Sequence, residues 1–173
     1  METIILGGGC FWCVEEAIKG LKGVSDVIPG YSGGHLENPT YEQVCGKRTG
    51  HAEVVKVTFD PSTISTNTLL EVFFTCHDPT QLNRQGNDIG PHYRSAIFYT
   101  SEAQREDSES VIERMADLYE NEIVTEVSPL KNFYVAERYH HDYFKNNPSN
   151  PYCMMVVAPK IAKTRSKHAH LYE

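Results

Sequence analysis

Cys10 and Cys13 stand three residues apart in GGGCFWCVEE, residues 7–16, and bracket Phe11 and the chain's one tryptophan, Trp12. Thiols so spaced can exchange disulfides, form half of a metal site, or pack as small buried hydrophobes. The glycines place Cys10 where a tight turn meets a helix N-terminus. Unpaired N–H groups and the helix dipole there favour an anion, so the thiol pKa is expected to fall from about 8.5 toward roughly 3.5–7.5. Thiolate is the nucleophilic form, which makes Cys10 the candidate for covalent catalysis. Cys13, one helical turn on, is close enough for the two sulfurs to meet. Zinc needs further ligands, and the chain has no second C-x-x-C and no H-x-x-x-H, while His140 and His141 diverge on a helix. No Gly-Lys-Ser/Thr or G-x-G-x-x-G follows the glycines, so a phosphate cradle is not indicated.

Glu53 is the second candidate. In HAEVVKVTF, residues 51–59, it shares parity with Val55, Val57 and Phe59, which puts a carboxylate on the apolar side of a strand. Lost hydration would raise its pKa above about 4.3 and let it serve as a general acid. The plain alternative is a strand-end Glu that reaches solvent or an arginine. Tyr41, Asp88 and Tyr93 fall in loops, and taken singly the tyrosines read as core edges with a wet hydroxyl. His51, His77, His92 and His140 have no motif-level partners and read as packing or surface residues. Cys45 and Cys76 read as structural. Cys153, in NPYC, either packs or supplies a movable thiol.

The elements that must position these residues follow from periodicity. ETIILGG reads as a strand, and Phe11, Val14, Ile18 and Leu21 as one face of a helix starting at Cys10. VSDVIPGYSGG reads as a strand broken at Pro29 and Gly30. A polar loop with a helical turn at Tyr41–Val44 leads to the Glu53 strand, then to a helix carrying Leu69, Leu70, Phe73 and Phe74. HDPTQLNRQGNDIGPHY is a long polar loop, a length that is uncommon without a function. RSAIFYT is a strand, and Ser101 with Gln104 forms a capping box for a helix whose Val111, Ile112, Met115, Leu118 and Tyr119 face inward. IVTEVSPL is a strand and residues 133–146 a helix; beyond Pro148 only CMMVVA looks regular. The expected fold is α+β: a mixed β-sheet with helices packed against it, as in a ferredoxin-like two-layer α/β sandwich. Residues from about 148 form a long irregular C-terminal segment of one 173-residue domain.

Composition narrows the function. Lys and Arg number 16 against 23 Asp and Glu, a formal charge of −7, which argues against nucleic acid as a partner. No stretch has the apolar length of a membrane span, and no basic n-region precedes the glycines, so a cytoplasmic location is expected. Five cysteines cannot all pair within one chain and suit catalysis, metal binding or packing better than structural disulfides.

Taken together, GGCFWC at 8–13, GYSGG at 30–34, NPTYEQVCGKRTGHAEVV at 38–55, HDPTQLNRQGNDIGPHYRSAIFY at 77–99, AERYHHDYF and NPYC resemble the type A peptide methionine sulfoxide reductases (MsrA) over nearly the whole length. The resemblance implies reduction of methionine S-sulfoxide, free or in oxidised proteins, to methionine. It implies Cys10 as the nucleophile, and Phe11 and Trp12 as the apolar pocket for the substrate methyl group. Glu53 would protonate the sulfoxide oxygen, Tyr41 and Tyr93 would hydrogen-bond it, and Asp88 would organise the polar side. A sulfenic acid on Cys10 would condense with a second thiol, Cys13 by local geometry or Cys153 by the family pattern. Thioredoxin would reopen that disulfide, and no bound cofactor or metal is implied. His141 stands where the family more often has Gln, and PH before Tyr93 where it more often has TQ. Two rival readings are a general thiol–disulfide oxidoreductase using the CFWC pair and a non-catalytic metal-binding module.

Overall fold

The apolar run TIIL forms β1 (Glu2–Gly7), a central strand in the computed structural model, which describes residues 1–173. After it come α1 (Phe11–Ile18), β2 (Val24–Ser32), α2 (Tyr41–Cys45), β3 (Ala52–Phe59) and α3 (Thr66–Thr75). A small hairpin, β4 (Arg84–Gln85) and β5 (Asp88–Ile89), precedes β6 (Ala96–Tyr99) and α4 (Glu102–Met115). The chain ends with β7 (Glu126–Pro129), β8 (Tyr134–Val135), α5 (Tyr143–Asn146) and α6 (Ala158–Lys167). The main sheet has six strands in the order β7-β6-β1-β3-β2-β8. Neighbours are antiparallel except β6 and β7, which run parallel across the α4 connection.

Side-chain alternation gives the sheet two different faces. Ile4 and Leu6 of β1 and Val55, Val57 and Phe59 of β3 pack on Phe11, Val14 and Ile18 of α1 and on α3. The opposite parity, Ile5, Ala52, Val54, Ala96 and Phe98, forms a smaller cluster covered by Leu130 and Phe133. β3 is therefore buried on both sides, and Glu53 falls on the helix-bearing face. No helix is long and apolar enough to cross a membrane.

Four expectations need correction. β2 runs unbroken through Pro29, which pairs with Val55. The missing N–H falls on the side where β8 is ending, and the Pro29 carbonyl accepts from Ala136 N–H at 2.9 Å, so no bond to β3 is lost. Residues 133–146 are not one helix: Tyr134 and Val135 pair with β2, and Asp142 takes a left-handed φ of 54° just before α5. Leu118 does not face inward; it is 73% exposed, because α4 ends at Met115. The C-terminal segment is not irregular. A π turn at Cys153–Val157 runs into α6, and Cys153, Val157, Ile161 and Thr164 lie buried along one side. Pro159 has no N–H for a carbonyl one turn back, and the π turn sits directly ahead of it.

Candidate active site

The thiol turn is built by glycines that nothing larger can replace. Gly9 has φ +86°, and a Cβ there would meet the Gln85 side chain at 2.7 Å. At Gly8 a Cβ would meet the ring of His77 at 2.9 Å. Gln85 in turn receives the Asp78 N–H (2.9 Å) and donates to the Asp78 carbonyl (2.5 Å), so the long polar loop is tied directly under the turn. Cys10 caps α1 with no side-chain cap bond of its own.

Cys10 is 8% exposed, and the Cys13 thiol lies close enough to act on its ionisation. Here the sequence expectation is reversed in sign. Burial, the Cys13 thiol and the nearby Glu53 together push Cys10 well above the ordinary thiol value. The adjacent Cys10 thiol works the other way on Cys13 and lowers it. The two sulfurs titrate as one unit, whose first proton leaves more readily than its second.

Glu53 is 1% exposed. Its Oε1 accepts the Phe11 N–H at 3.2 Å, while its Oε2 has no partner. Burial, only partly opposed by the Phe11 N–H, raises the carboxyl to about 8. At neutral pH it is a protonated acid beside the thiol. The solvent-reaching alternative is thereby excluded.

Three phenols line the site, Tyr41 and Tyr93 near Glu53 and Tyr152 near the two thiols. Thr40 and Gln43 cap α2 reciprocally, at 3.2 and 2.9 Å, and set Tyr41 at the first helical position. Glu137 anchors the same turn, accepting the Tyr41 N–H and the Tyr31 hydroxyl, both at 2.8 Å. Tyr93 ends the 3-10 turn Pro91–Tyr93. Burial and then Glu53 raise both Tyr41 and Tyr93 above the usual phenol range, so both remain donors. The third, Tyr152, donates to Asp88 Oδ2.

Phe11 has no exposed surface; it lies between Tyr31, Tyr41 and His140, with centroid separations of 5.8, 6.3 and 5.0 Å. Trp12 is half-buried and stacks on Tyr143 at 3.8 Å, with Tyr152 edge-on at 5.9 Å. The Trp12 Nε1–H donates to His140 Nδ1 at 3.0 Å, which fixes the histidine tautomer with its proton on Nε2. Glu15 ties this segment to α1 by accepting the Asp142 N–H at 3.0 and 3.1 Å. Cys153 is fully buried in the π turn, and Cys13 lies near enough to both Cys153 and Cys76 to disfavour their ionisation. A groove of about 1310 Å³ is lined by Cys76, His77, Gln85, Arg114, Lys160 and Lys167 and touches none of Cys10, Glu53, Tyr41 and Tyr93.

The family model for peptide methionine sulfoxide reductase matches residues 2–172. The chain belongs to this family. Among relatives, the peptide methionine sulfoxide reductase MsrA of Saccharolobus solfataricus is 55% identical over 94% of this chain and 92% of its own. Among solved structures, Mxr1 from Saccharomyces cerevisiae in reduced form is similar at TM-score 0.83, with 36% identity over 88% of each chain. Mxr1 in complex with Trx2 is similar at TM-score 0.60, with 27% identity, covering 81% of this chain and 84% of that one.

In this reductase the structure gathers Cys10, Cys13, Glu53, Tyr41, Tyr93, Phe11 and Trp12 around the start of α1, and brings Asp88 in through Tyr152. Cys153 lies near Cys13. Sequence reasoning passed over His140, Tyr143 and Tyr152, and gave His140 no partner. The signal available was the AERYHHDYF stretch itself, whose tyrosine and histidine sit at the spacing that lets both meet one indole. Because Trp12 is the only tryptophan, intrinsic fluorescence reports on this contact. His140→Ala is expected to shift Trp12 emission to the red and to cost about 2–4 kcal/mol of stability, through a cavity and an unpaired indole N–H. Emission and urea unfolding of the variant check both.

Proposed function

We propose that the reductase acts on methionine S-sulfoxide, free or in oxidised protein, with Cys10 as nucleophile and Glu53 as acid. The observation that carries this reading is Glu53 itself: a buried, protonated carboxyl with one unpartnered oxygen, facing a thiol and two phenols. A sulfoxide sulfur becomes electrophilic once its oxygen takes a proton. Glu53 gives that proton, Tyr41 and Tyr93 hold the oxygen, and Cys10 attacks sulfur as its own thiol proton passes to the carboxylate left on Glu53. Methionine leaves, and the oxygen stays on Cys10 as a sulfenic acid. Trp12, backed by Phe11, receives the methyl group and so selects one sulfur epimer.

Cys13 then attacks the Cys10 sulfur, forms the disulfide and releases water. Residues three apart in a helix keep their Cα atoms roughly 5 Å apart, within the disulfide range. The nearness of the two thiols, each acting on the other's ionisation, supports Cys13 as the first partner. Cys153 is held buried in the π turn with Cys13 nearby, and in this reading it is a later exchange partner of Cys13. An external dithiol of the thioredoxin type restores both thiols, a reading supported by the Mxr1–Trx2 complex. We place the chain in a reducing, cytoplasmic setting, in keeping with five free cysteines.

The test uses purified chain, thioredoxin and resolved epimers of methionine sulfoxide. Methionine is expected from the S epimer at least about 100-fold faster than from the R epimer. Equal rates on both epimers, or insulin disulfide reduction with no methionine formed, would overturn the reading.

A further inference from the structure

Glu53 Oε2 is not the only orphaned polar atom here. His92 is 3% exposed, and its Nδ1 also lacks a partner. Cys45 Sγ, a carboxylate oxygen of Glu53 and a ring nitrogen of His92 all lie within 4.8 Å of one another. Three separate elements deliver them: the last residue of α2, the start of β3 and the 3-10 turn Pro91–Tyr93. Hydrogen bonding within the protein does not account for this cluster, since neither Glu53 Oε2 nor His92 Nδ1 is met.

Thiolate, imidazole and carboxylate together are a zinc donor set. In a tetrahedral zinc site such donors stand roughly 3.3–3.6 Å apart, so side-chain adjustments of about 1 Å close this one. Three protein ligands leave the fourth position open. The two anions neutralise a divalent charge. Tyr41 lies near Cys45, and the Tyr93 ring lies 3.9 Å from that of His92, so the cluster adjoins the wall assigned to the sulfoxide oxygen.

We propose that Cys45, Glu53 and His92 bind a zinc-like divalent cation, and that its binding switches sulfoxide reduction off. The binding stands on the donor cluster alone; the switching rests on the acid role proposed for Glu53. A carboxylate that ligates a cation has given up the proton the sulfoxide needs. Each ion displaces the Cys45 thiol proton and the Glu53 carboxyl proton to solvent, and no electrons move.

Cobalt(II) is the probe for binding, added to full-length protein carrying Cys10→Ser and Cys13→Ser so that the CFWC thiols cannot ligate. One cobalt per chain with a thiolate-to-cobalt charge-transfer band is expected. The band is lost when Cys45→Ser is added, and affinity falls at least about tenfold with His92→Gln. In the otherwise unaltered enzyme, zinc inhibits methionine formation and EDTA restores it. His92→Gln keeps metal-free turnover but needs at least about tenfold more zinc for equal inhibition. Absence of the band, its survival in Cys45→Ser, or an unchanged zinc response in His92→Gln overturns the site. Cobalt binding as expected with full activity in zinc overturns the switch. Cobalt binding by a chain that never forms methionine leaves the site standing and removes the reductase reading instead.

Discussion

Cys10→Ser abolishes methionine formation, with a fall of more than about 10⁴-fold in kcat/KM and no oxidised protein species on exposure to sulfoxide. The size follows from the chemistry. A serine hydroxyl beside the same acid is a far weaker nucleophile than sulfur, and it cannot carry the oxygen away as a sulfenic acid. Thermal stability should change little, because the side chain is small and Cys10 makes no cap bond. Single-turnover product analysis and a melting curve check the two halves.

Glu53→Gln slows the chemical step by about 10²–10⁴-fold, since it removes the proton donor while a carbonyl remains to accept the Phe11 N–H. The pH profile carries more information than the rate. With the carboxyl raised to about 8, the wild-type single-turnover rate loses its acid as pH climbs through that value, and the variant lacks this alkaline limb. Stability has the same origin and a definite sign. A carboxyl raised on folding binds more protons folded than unfolded between about 4.5 and 8, so its contribution is full below that window and is lost across it. Glu53→Gln is therefore more stable than wild type at pH 9, by an amount of order a few kcal/mol, and the difference shrinks toward pH 5. Urea unfolding at the two pH values measures it. Equal stability differences at both would show that Glu53 does not titrate abnormally.

Particular residues show where sequence was informative. Glu53 was readable because the parity of Val55, Val57 and Phe59 is a property of three neighbours, and the strand kept it. Cys10 was readable as a helix start, but not the direction of its pKa. That depends on burial, Cys13 and Glu53, the last of which is 43 positions away in the chain. The C-terminal helix was missed because its buried side includes Cys153 and Thr164 among Val157 and Ile161. Four Lys and Arg residues in α6 and a Pro at 159 further mask the period. Residues 133–146 read as a helix by composition, whereas pairing of Tyr134 and Val135 with β2 decides their conformation. The order β6-β1-β3-β2 is a matter of long-range pairing, which no local pattern encodes.

The most direct test treats reduced enzyme with less than one equivalent of methionine S-sulfoxide, without reductant, and maps every oxidised sulfur by mass spectrometry. At the earliest quench, one methionine per oxidised chain is expected, with Cys10 oxidised in all of them and joined to Cys13; Cys13–Cys153 disulfides follow only at later times. Oxidised chains in which Cys10 is a free thiol at the earliest quench would contradict the account.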